Sequence, residues 1–166
     1  MTIPSFSIII PVKQLGPYVR ETICYVRGLD VSDWELLIVT NDPEPNEWVD
    51  DERVKLLSSG RVGPAEKRDL AASFARGDYL VFLDDDSYPD RRLLSVARAE
   101  FESGAVALGG PAMTPREDSF LQRTSGAVFS SLLTGGAPER YRPVGEAREV
   151  DDWPSVNLMI RRDVFE

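Results

Sequence analysis

Short continuous apolar runs alternate along this chain with longer segments in which apolar residues recur every three or four positions. The first two runs, at residues 6–10 and 34–39, lack polar alternation, which is typical of strands buried on both faces of a parallel sheet. Further strands are predicted at residues 54–57, 79–83 and 105–110, and a last strand at 156–160. Most of the segments between these runs are predicted as helices.

Proline and glycine mark the ends of the first two predicted helices. Pro17 and Pro64 stand at first-turn positions, and Gly28 and Gly77 stand where the helices are expected to stop. The segment "PDRRLLSVARAEFESG" predicts a third helix. The inward face of the second helix is predicted from two i,i+4 pairs, Leu70 with Phe74 and Ala71 with Ala75.

This order of elements predicts an α/β fold with a Rossmann-like, doubly wound, mostly parallel sheet and flanking helices. One domain is predicted over residues 1–166, because a chain of this length suits a single core. After Gly110 the pattern loosens. We expect a helix interrupted at Gly126, followed by a long polar stretch at residues 137–155.

Charge and composition exclude several classes of function. The net charge of −9 disfavours nucleic acid as a partner, because phosphate backbones require a basic face. The chain has no histidine, which removes catalytic triads and metal sites built on imidazole. Its single cysteine, Cys24, precludes an internal disulfide and is expected to be a small apolar filler within a helix. No apolar stretch approaches the roughly 20 residues of a membrane-spanning helix.

Polar residues follow three of the predicted strands at the point where each strand ends. The segments are Pro11-Val12-Lys13, Thr40-Asn41-Asp42 and Asp84-Asp85-Asp86. In open α/β sheets, ligands bind beyond the carboxyl ends of the strands, so these segments are expected to converge on one edge. Lys13 is expected either to reach a phosphate or to remain in solvent.

The acidic triplet is the most informative of the three segments. Two such charges about 5 Å apart repel by roughly 3 kcal/mol at an effective dielectric near 20. Mg²⁺ or Mn²⁺ would offset this repulsion and leave coordination positions for substrate phosphates. A solvated turn is the plain alternative.

Other acidic motifs fit less well. An EF-hand loop starting at Asp84 would place Pro89 at the required glycine and Ser95 at the required glutamate. A phosphatase of the haloacid dehalogenase type also uses Asp-x-Asp after a strand, but it requires Thr or Val where Tyr88 stands. Because the Asp-x-Asp pattern after a strand is still present, a metal-dependent phosphohydrolase remains the weaker alternative. No glycine-rich phosphate loop follows the first strand.

Nearly the whole chain resembles the family-2 glycosyltransferases, which have the GT-A fold. The resemblance rests on "SIIIPVK", "WELLIVTND", "GPAEKRDLAASFARGDYLVFLDDDSYPD" and "VNLMIRRDVFE", in that order. It implies that residues 1–110 form the nucleotide-sugar-binding half and that residues 111–166 begin the acceptor-side half.

The resemblance also implies roles for individual residues. Pro11 and Val12 would present backbone to the nucleotide base, and Asp84 would face the ribose. Asp86, with Asp84, would ligate the metal that holds the diphosphate, and Asp85 is the variable middle position. The remaining donor-side residues implied by the resemblance are Thr40, Asn41, Asp42 and Arg68.

Two residues near the C-terminal end are candidates for the acceptor side. Trp153 is expected either to stack on an acceptor sugar or to pack its loop onto the body of the protein. Asn157 is expected to line the acceptor side. Arg161 and Arg162 are expected either to pair with the diphosphate or to be solvated.

These observations predict a glycosyltransferase that moves a sugar from a nucleotide-diphosphate sugar to an acceptor hydroxyl. The acceptor would be a saccharide, a lipid-linked group or another alcohol. Dependence on Mn²⁺ or Mg²⁺ is expected, and the resemblance implies inversion at the anomeric carbon. The alternative outside the enzymes is a nucleotide-sugar-binding module that has no activity.

The C-terminal end raises two further expectations. Family members continue past a segment like "RRDVFE" to an acidic pair that includes the general base, so the base is expected beyond Glu166. The surface around Val156 to Phe165 is expected to be apolar and to promote self-association into a homo-oligomer. The protein is expected to be cytoplasmic, either free or peripheral to the inner face of the membrane.

Overall fold

The computed structural model describes residues 4–115, 118–131, 140–143 and 145–165. It divides into two compact units, one formed by Met1–Leu108 with Leu158–Glu166 and the other by Gly109–Asn157. Part of the polar stretch predicted at residues 137–155 lies outside the described residues.

Six strands form one sheet. They are β1 (Phe6–Pro11), β2 (Trp34–Thr40), β3 (Val54–Ser58), β4 (Tyr79–Phe82), β5 (Ala107–Gly109) and β6 (Leu158–Arg161), arranged in the order β3-β2-β1-β4-β6-β5. β1 pairs in parallel with both β2 and β4, and β2 pairs in parallel with β3. β6 pairs antiparallel with β4, so the last strand along the chain enters the sheet between β4 and β5.

The helices lie between the strands in the chain. They are α1 (Pro17–Arg27), α2 (Pro64–Phe74), α3 (Leu93–Glu102), α4 (Phe120–Phe129) and α5 (Arg162–Phe165). Proline at the first turn starts α1 and α2, because its fixed φ suits that position and its missing N–H is not needed there. Gly28 caps α1 as the sequence predicts.

The central strands β1, β2 and β4 are buried on both faces, which explains their continuous apolar sequences. On one face, Ile8 and Ile10 of β1 join a cluster that includes residues of α1 and α3. On the other face, Ile9 packs with Ala71 and Ala75 at the end of α2. At about 25 cal/mol per Å² of apolar area, burial of this kind is the main term that stabilises the sheet.

Three local predictions were wrong. The second helix ends at Phe74, and the Phe74 side chain is exposed instead of facing the sheet. The helix near Gly126 is not interrupted. A capping box formed by Ser119 and Gln122 starts α4, and the helix continues past Gly126 to Phe129. Cys24 is exposed on α1 and donates from its Sγ to the carbonyl of Arg20, so it does not fill the core.

Gly126 has a packing role inside α4. A Cβ atom at this position would overlap the side chain of Thr114. The glycine therefore allows the helix to approach the neighbouring segment of the same unit, which offsets the cost of glycine in a helix interior, about 1 kcal/mol.

Candidate donor-binding site

The three polar strand ends lie side by side at the carboxyl edge of the sheet. The N–H of Val12 donates to the carbonyl of Val39 at 2.9 Å, and the N–H of Asn41 donates to the carbonyl of Lys13 at 3.1 Å. The N–H of Leu83, just before the acidic triplet, donates to the carbonyl of Ile9 at 3.1 Å. The segments after β1, β2 and β4 therefore form one edge, as their positions in the sequence predicted.

Helix α2 connects the same edge through two consecutive side chains. The ammonium group of Lys67 donates to the carbonyl oxygen of Val12 and, at 2.7 Å, to Oδ1 of Asn41. The guanidinium group of Arg68 donates from Nη2 to Oδ1 of Asp84 at 2.7 Å. Because one helical turn contacts all three strand ends, α2 fixes their relative positions.

Lys67 is the residue of this site that the sequence analysis missed. Its side chain is only 3% exposed, which is rare for a lysine. Burial lowers the pKa of the Lys67 ammonium, while Asp42 acts in the opposite direction. The signal in the sequence was its spacing, because Lys67 precedes Ala71 by four residues and so shares the inward face of α2.

Arg68 is not a surface charge. Its side chain is 13% exposed, and its Nε is buried without a hydrogen-bond partner in the described part of the chain. Its guanidinium orients the carboxylate of Asp84. Asp69, the next residue, is exposed.

Two carboxyl groups of the triplet, those of Asp84 and Asp85, have raised pKa values. Burial raises the pKa of Asp84, Arg68 opposes this, and the neighbouring charges of Asp86 and Asp85 raise it further, so the net shift is upward. Burial and then Asp86 also raise the pKa of Asp85. Asp86 is exposed. A cation at this position would relieve the repulsion.

Hydrogen bonds hold the backbone of the triplet in place. The N–H of Asp84 donates to the hydroxyl oxygen of Ser87 at 3.1 Å, and the N–H of Ser87 donates to the carbonyl of Asp84 at 3.2 Å. The hydroxyl of Thr22 in α1 donates to the carbonyl of Asp85 at 2.9 Å. The turn is therefore a fixed platform for its carboxylates.

The donor set fits a hard cation. No group of three or more His, Cys, Asp or Glu residues in the described ranges is arranged to hold a metal ion by itself. Mg²⁺ and Mn²⁺ do not need such a cage, because one or two carboxylates suffice when substrate phosphates supply other ligands. Asp84 and Asp86 would provide these oxygens, and the raised pKa of the Asp84 carboxyl, which burial and its charged neighbours cause, supports the fit.

The structure corrects the prediction for Thr40. Its side chain is 1% exposed, and its hydroxyl lies 2.7 Å from the carbonyl oxygen of Asp42 and 3.2 Å from that of Leu57. The hydroxyl is therefore turned into the protein and presents nothing to a ligand. Of the three polar residues at the end of β2, Thr40, Asn41 and Asp42, only Asn41 and Asp42 retain access to solvent.

The remaining donor-side predictions have different surroundings. Pro11 is the last residue of β1 and is partly exposed. Val12 is buried, and its N–H and its carbonyl both have partners in the protein. Lys13 is exposed at the same edge.

The two acceptor-side candidates belong to the second unit. A Cβ atom at Gly109 would overlap the ring of Trp153, and a Cβ atom at Gly110 would overlap the side chain of Asn157. Asn157 has a positive φ of 51°, which asparagine tolerates better than most residues. Nε1 of Trp153 and Oδ1 of Asn157 are buried without a hydrogen-bond partner among the described residues.

Comparison with known proteins identifies the family. Residues 7–166 match the family described as Glycosyl transferase family 2, and the chain belongs to this family. The match supports the glycosyltransferase class over the phosphohydrolase alternative.

Two curated relatives are named as uncharacterised glycosyltransferases. EpsJ of Bacillus subtilis (strain 168) is 27% identical over 116 residues, which cover 65% of this chain and 33% of the relative. A protein of Haemophilus influenzae (strain ATCC 51907 / DSM 11121 / KW20 / Rd) is 31% identical over 96 residues, which cover 53% of this chain and 38% of the relative. The matched residues thus span between 33% and 38% of the length of these relatives.

Solved structures confirm the α/β GT-A fold class. The crystal structure of S. aureus TarS 1-349 has a TM-score of 0.64 and 16% identity, over 97% of this chain and 48% of that chain. A mannosyltransferase from Pyrobaculum calidifontis, PcManGT, in complex with GDP-Man and Mn²⁺, has a TM-score of 0.58 and 21% identity. The match covers 70% of this chain and 37% of that chain. None of the helices in the described residues has the length and apolar character needed to span a membrane.

Proposed function

We propose that this chain binds a nucleotide-diphosphate sugar together with Mn²⁺ or Mg²⁺ at the carboxyl edge of its sheet, and that its protein transfers the sugar to an acceptor hydroxyl. The observation that carries the proposal is the connection of three strand ends by Lys67 and Arg68 of α2, which brings Asn41 and Asp84 to one edge. The complexes of relatives agree with it, because PcManGT was solved with GDP-Man and Mn²⁺ and TarS 1-349 with UDP-GlcNAc.

Each residue of the edge has a distinct part in this proposal. Asn41 and Asp42 contact the base, and Asp84 contacts the ribose. Asp84 and Asp86 hold the cation, and Arg68 keeps the Asp84 carboxylate oriented. The bound cation supplies positive charge opposite the diphosphate leaving group.

The transfer itself would invert the anomeric carbon. The acceptor oxygen forms its bond to this carbon as the bond to the diphosphate breaks, and the hydroxyl proton passes to a carboxylate. Trp153 and Asn157 would serve the acceptor, because each has a buried polar atom for which no partner is described. We further propose the division into a donor-binding half at residues 1–110 and an acceptor-side half from residue 111.

Calorimetry tests the donor half of the proposal. We expect the chain to bind UDP or GDP at least about ten-fold more tightly with Mn²⁺ than with EDTA, a difference of about 1.4 kcal/mol. The Asp86→Ala substitution is expected to remove this metal dependence, because it takes one carboxylate from the cation.

Asp78→Ala is the matched control. Asp78 directly precedes the first residue of β4, at the opposite end from the triplet, and its carboxylate is 75% exposed. This variant is expected to keep the metal dependence of the unmodified chain. Equal affinities with Mn²⁺ and with EDTA in the unmodified chain would contradict the proposal. An equal loss of metal dependence in Asp86→Ala and Asp78→Ala would contradict it as well.

A further inference from the structure

The side-chain amide of Asn41 can have only one orientation. Asparagine amides are usually ambiguous, because oxygen and nitrogen look alike. Here the Nζ of Lys67 lies 2.7 Å from one amide atom and also contacts the carbonyl of Val12. A lysine ammonium has three donors and no acceptor, so the atom that faces it must be Oδ1.

The backbone of Asn41 is fixed as well. Its N–H donates to the carbonyl of Lys13 at 3.1 Å, and its carbonyl accepts from the hydroxyl of Ser58 at 3.2 Å. The group that remains is Nδ2 with its two N–H bonds. No residue in the described part of the chain accepts a hydrogen bond from it. The side chain is partly exposed, so a ligand at the sheet edge can reach this donor.

Burial makes this arrangement stable. Lys67 is 3% exposed, so water hardly competes for its ammonium, and rotating the Asn41 amide would place two donors against each other. The neighbouring Thr40 cannot substitute for Asn41, since its hydroxyl is buried and turned inward. The end of β2 therefore presents a fixed hydrogen-bond donor.

We propose that Lys67 is a positioning residue for base selection: it holds Asn41 as a hydrogen-bond donor, which favours bases with a carbonyl oxygen over bases with an amino group at the same place. Uracil and guanine have a carbonyl oxygen where cytosine and adenine have an amino group. An amino group facing Nδ2 would leave two donors unpaired. The inference rests on the proposed function and adds the class of base that the nucleotide-sugar substrate carries.

The test measures the affinities of UDP, CDP, GDP and ADP by calorimetry in the presence of Mn²⁺. We expect UDP to bind about ten-fold more tightly than CDP, and GDP about ten-fold more tightly than ADP. This factor is the cost of leaving one buried hydrogen-bond donor unpaired in the CDP and ADP complexes. In Lys67→Met the side chain keeps its approximate length but has no donor, so the Asn41 amide can turn. Both ratios are then expected to fall towards one.

Lys13→Met is the matched control. Lys13 is exposed at the end of β1, and this variant removes the same charge from the same edge without freeing the amide of Asn41. It is expected to change all four affinities by a common factor and to leave the ratios intact. If Lys67→Met does not fold, Asn41→Ala provides the second variant, because it removes the donor and is expected to abolish the ratios.

The outcomes separate the inference from the proposed function. Failure of the unmodified chain to bind any of the four diphosphates would overturn the proposed function and this inference with it. Metal-dependent binding with equal affinity for carbonyl and amino bases would overturn the inference alone. Unchanged ratios in Lys67→Met, or in Asn41→Ala where Lys67→Met does not fold, would also overturn it.

Discussion

Replacing Glu35 by alanine is expected to lower the free energy of unfolding by about 1–3 kcal/mol, the cost of leaving buried hydrogen-bond donors without their acceptor. Glu35 is 1% exposed and lies near the start of β2. It accepts from Lys55 at 2.9 Å, from the backbone and the guanidinium of Arg76 at 2.6 and 2.9 Å, and from the hydroxyl of Ser7 at 2.8 Å. The substitution leaves all these donors without their shared acceptor, and urea unfolding measures the loss.

The pH dependence of this effect has a defined sign. Burial raises the pKa of Glu35, but the hydrogen bonds from Lys55, Arg76 and Ser7 outweigh it, and the pKa is lowered overall. The ionised carboxylate therefore stabilises the fold at pH values above the unfolded pKa of about 4.3. This contribution is lost as the pH falls through the lower folded pKa, so the difference between Glu35→Ala and the unmodified chain should narrow in acid.

Glu47→Ala is the control for Glu35→Ala. Glu47 also pairs with an arginine, Arg20, at 2.7 Å, but both side chains are more than 40% exposed. Exposed pairs of this kind contribute little, because water competes and side-chain entropy is lost. A loss in Glu47→Ala as large as that in Glu35→Ala would contradict the assignment of the effect to burial.

Replacing Gly77 by alanine is expected to destabilise the fold by about 1–3 kcal/mol, as overpacking does. A Cβ atom at Gly77 would lie 2.7 Å from the backbone carbon of Phe6 and 2.7 Å from the backbone nitrogen of Ser7. Backbone atoms in a central strand cannot move aside without disturbing the sheet. The midpoint of thermal unfolding reports the loss.

Gly16→Ala provides the comparison for Gly77→Ala. Gly16 precedes α1 with a φ of −118°, which alanine also adopts, and a Cβ atom there would have no neighbour within 4 Å. It is expected to unfold close to the temperature of the unmodified chain. Equal midpoints for Gly77→Ala and the unmodified chain would show that β1 can yield at Phe6 and Ser7.

Much of the fold could be predicted because its central strands are continuously apolar. β1, β2 and β4 pack on both faces, so their sequences contain no alternation and are hard to mistake for surface strands. The antiparallel entry of β6 between β4 and β5 was not predicted. Strand order depends on pairing between distant segments, and the apolar pattern of "VNLMI" does not specify its partner.

The inward face of α2 shows how a correct helix can be oriented wrongly. The inward positions are Lys67, Ala71 and Ala75, four residues apart, whereas Phe74 is exposed. Hydrophobicity favoured the large side chain of Phe74 as a core residue and Lys67 as a solvated one. Packing against the sheet admits small residues, and the ammonium of Lys67 is tolerated because two oxygens accept from it.

The site was partly predictable for a related reason. The convergence of strand ends follows from parallel topology alone, so the sequence predicts that Asn41 and Asp84 lie at one edge. The orientation of each side chain depends on contacts with distant residues. The Thr40 hydroxyl contacts the carbonyl of Leu57 across 17 positions of sequence, and Arg68 reaches Asp84 across 16 positions, and neither contact has a local signal.

The location of the cation is the most direct test of the account, and Mn²⁺ allows it to be measured by paramagnetic broadening of amide resonances. With Mn²⁺ and UDP or GDP present, we expect the strongest broadening at Asp84, Asp85 and Asp86, with Asn41 also affected. Glu35 and Asp78, at the opposite end of the sheet, should be spared, because six residues of extended chain span roughly 20 Å. Broadening centred on Glu35 and Asp78, or no broadening near the triplet, would contradict the account.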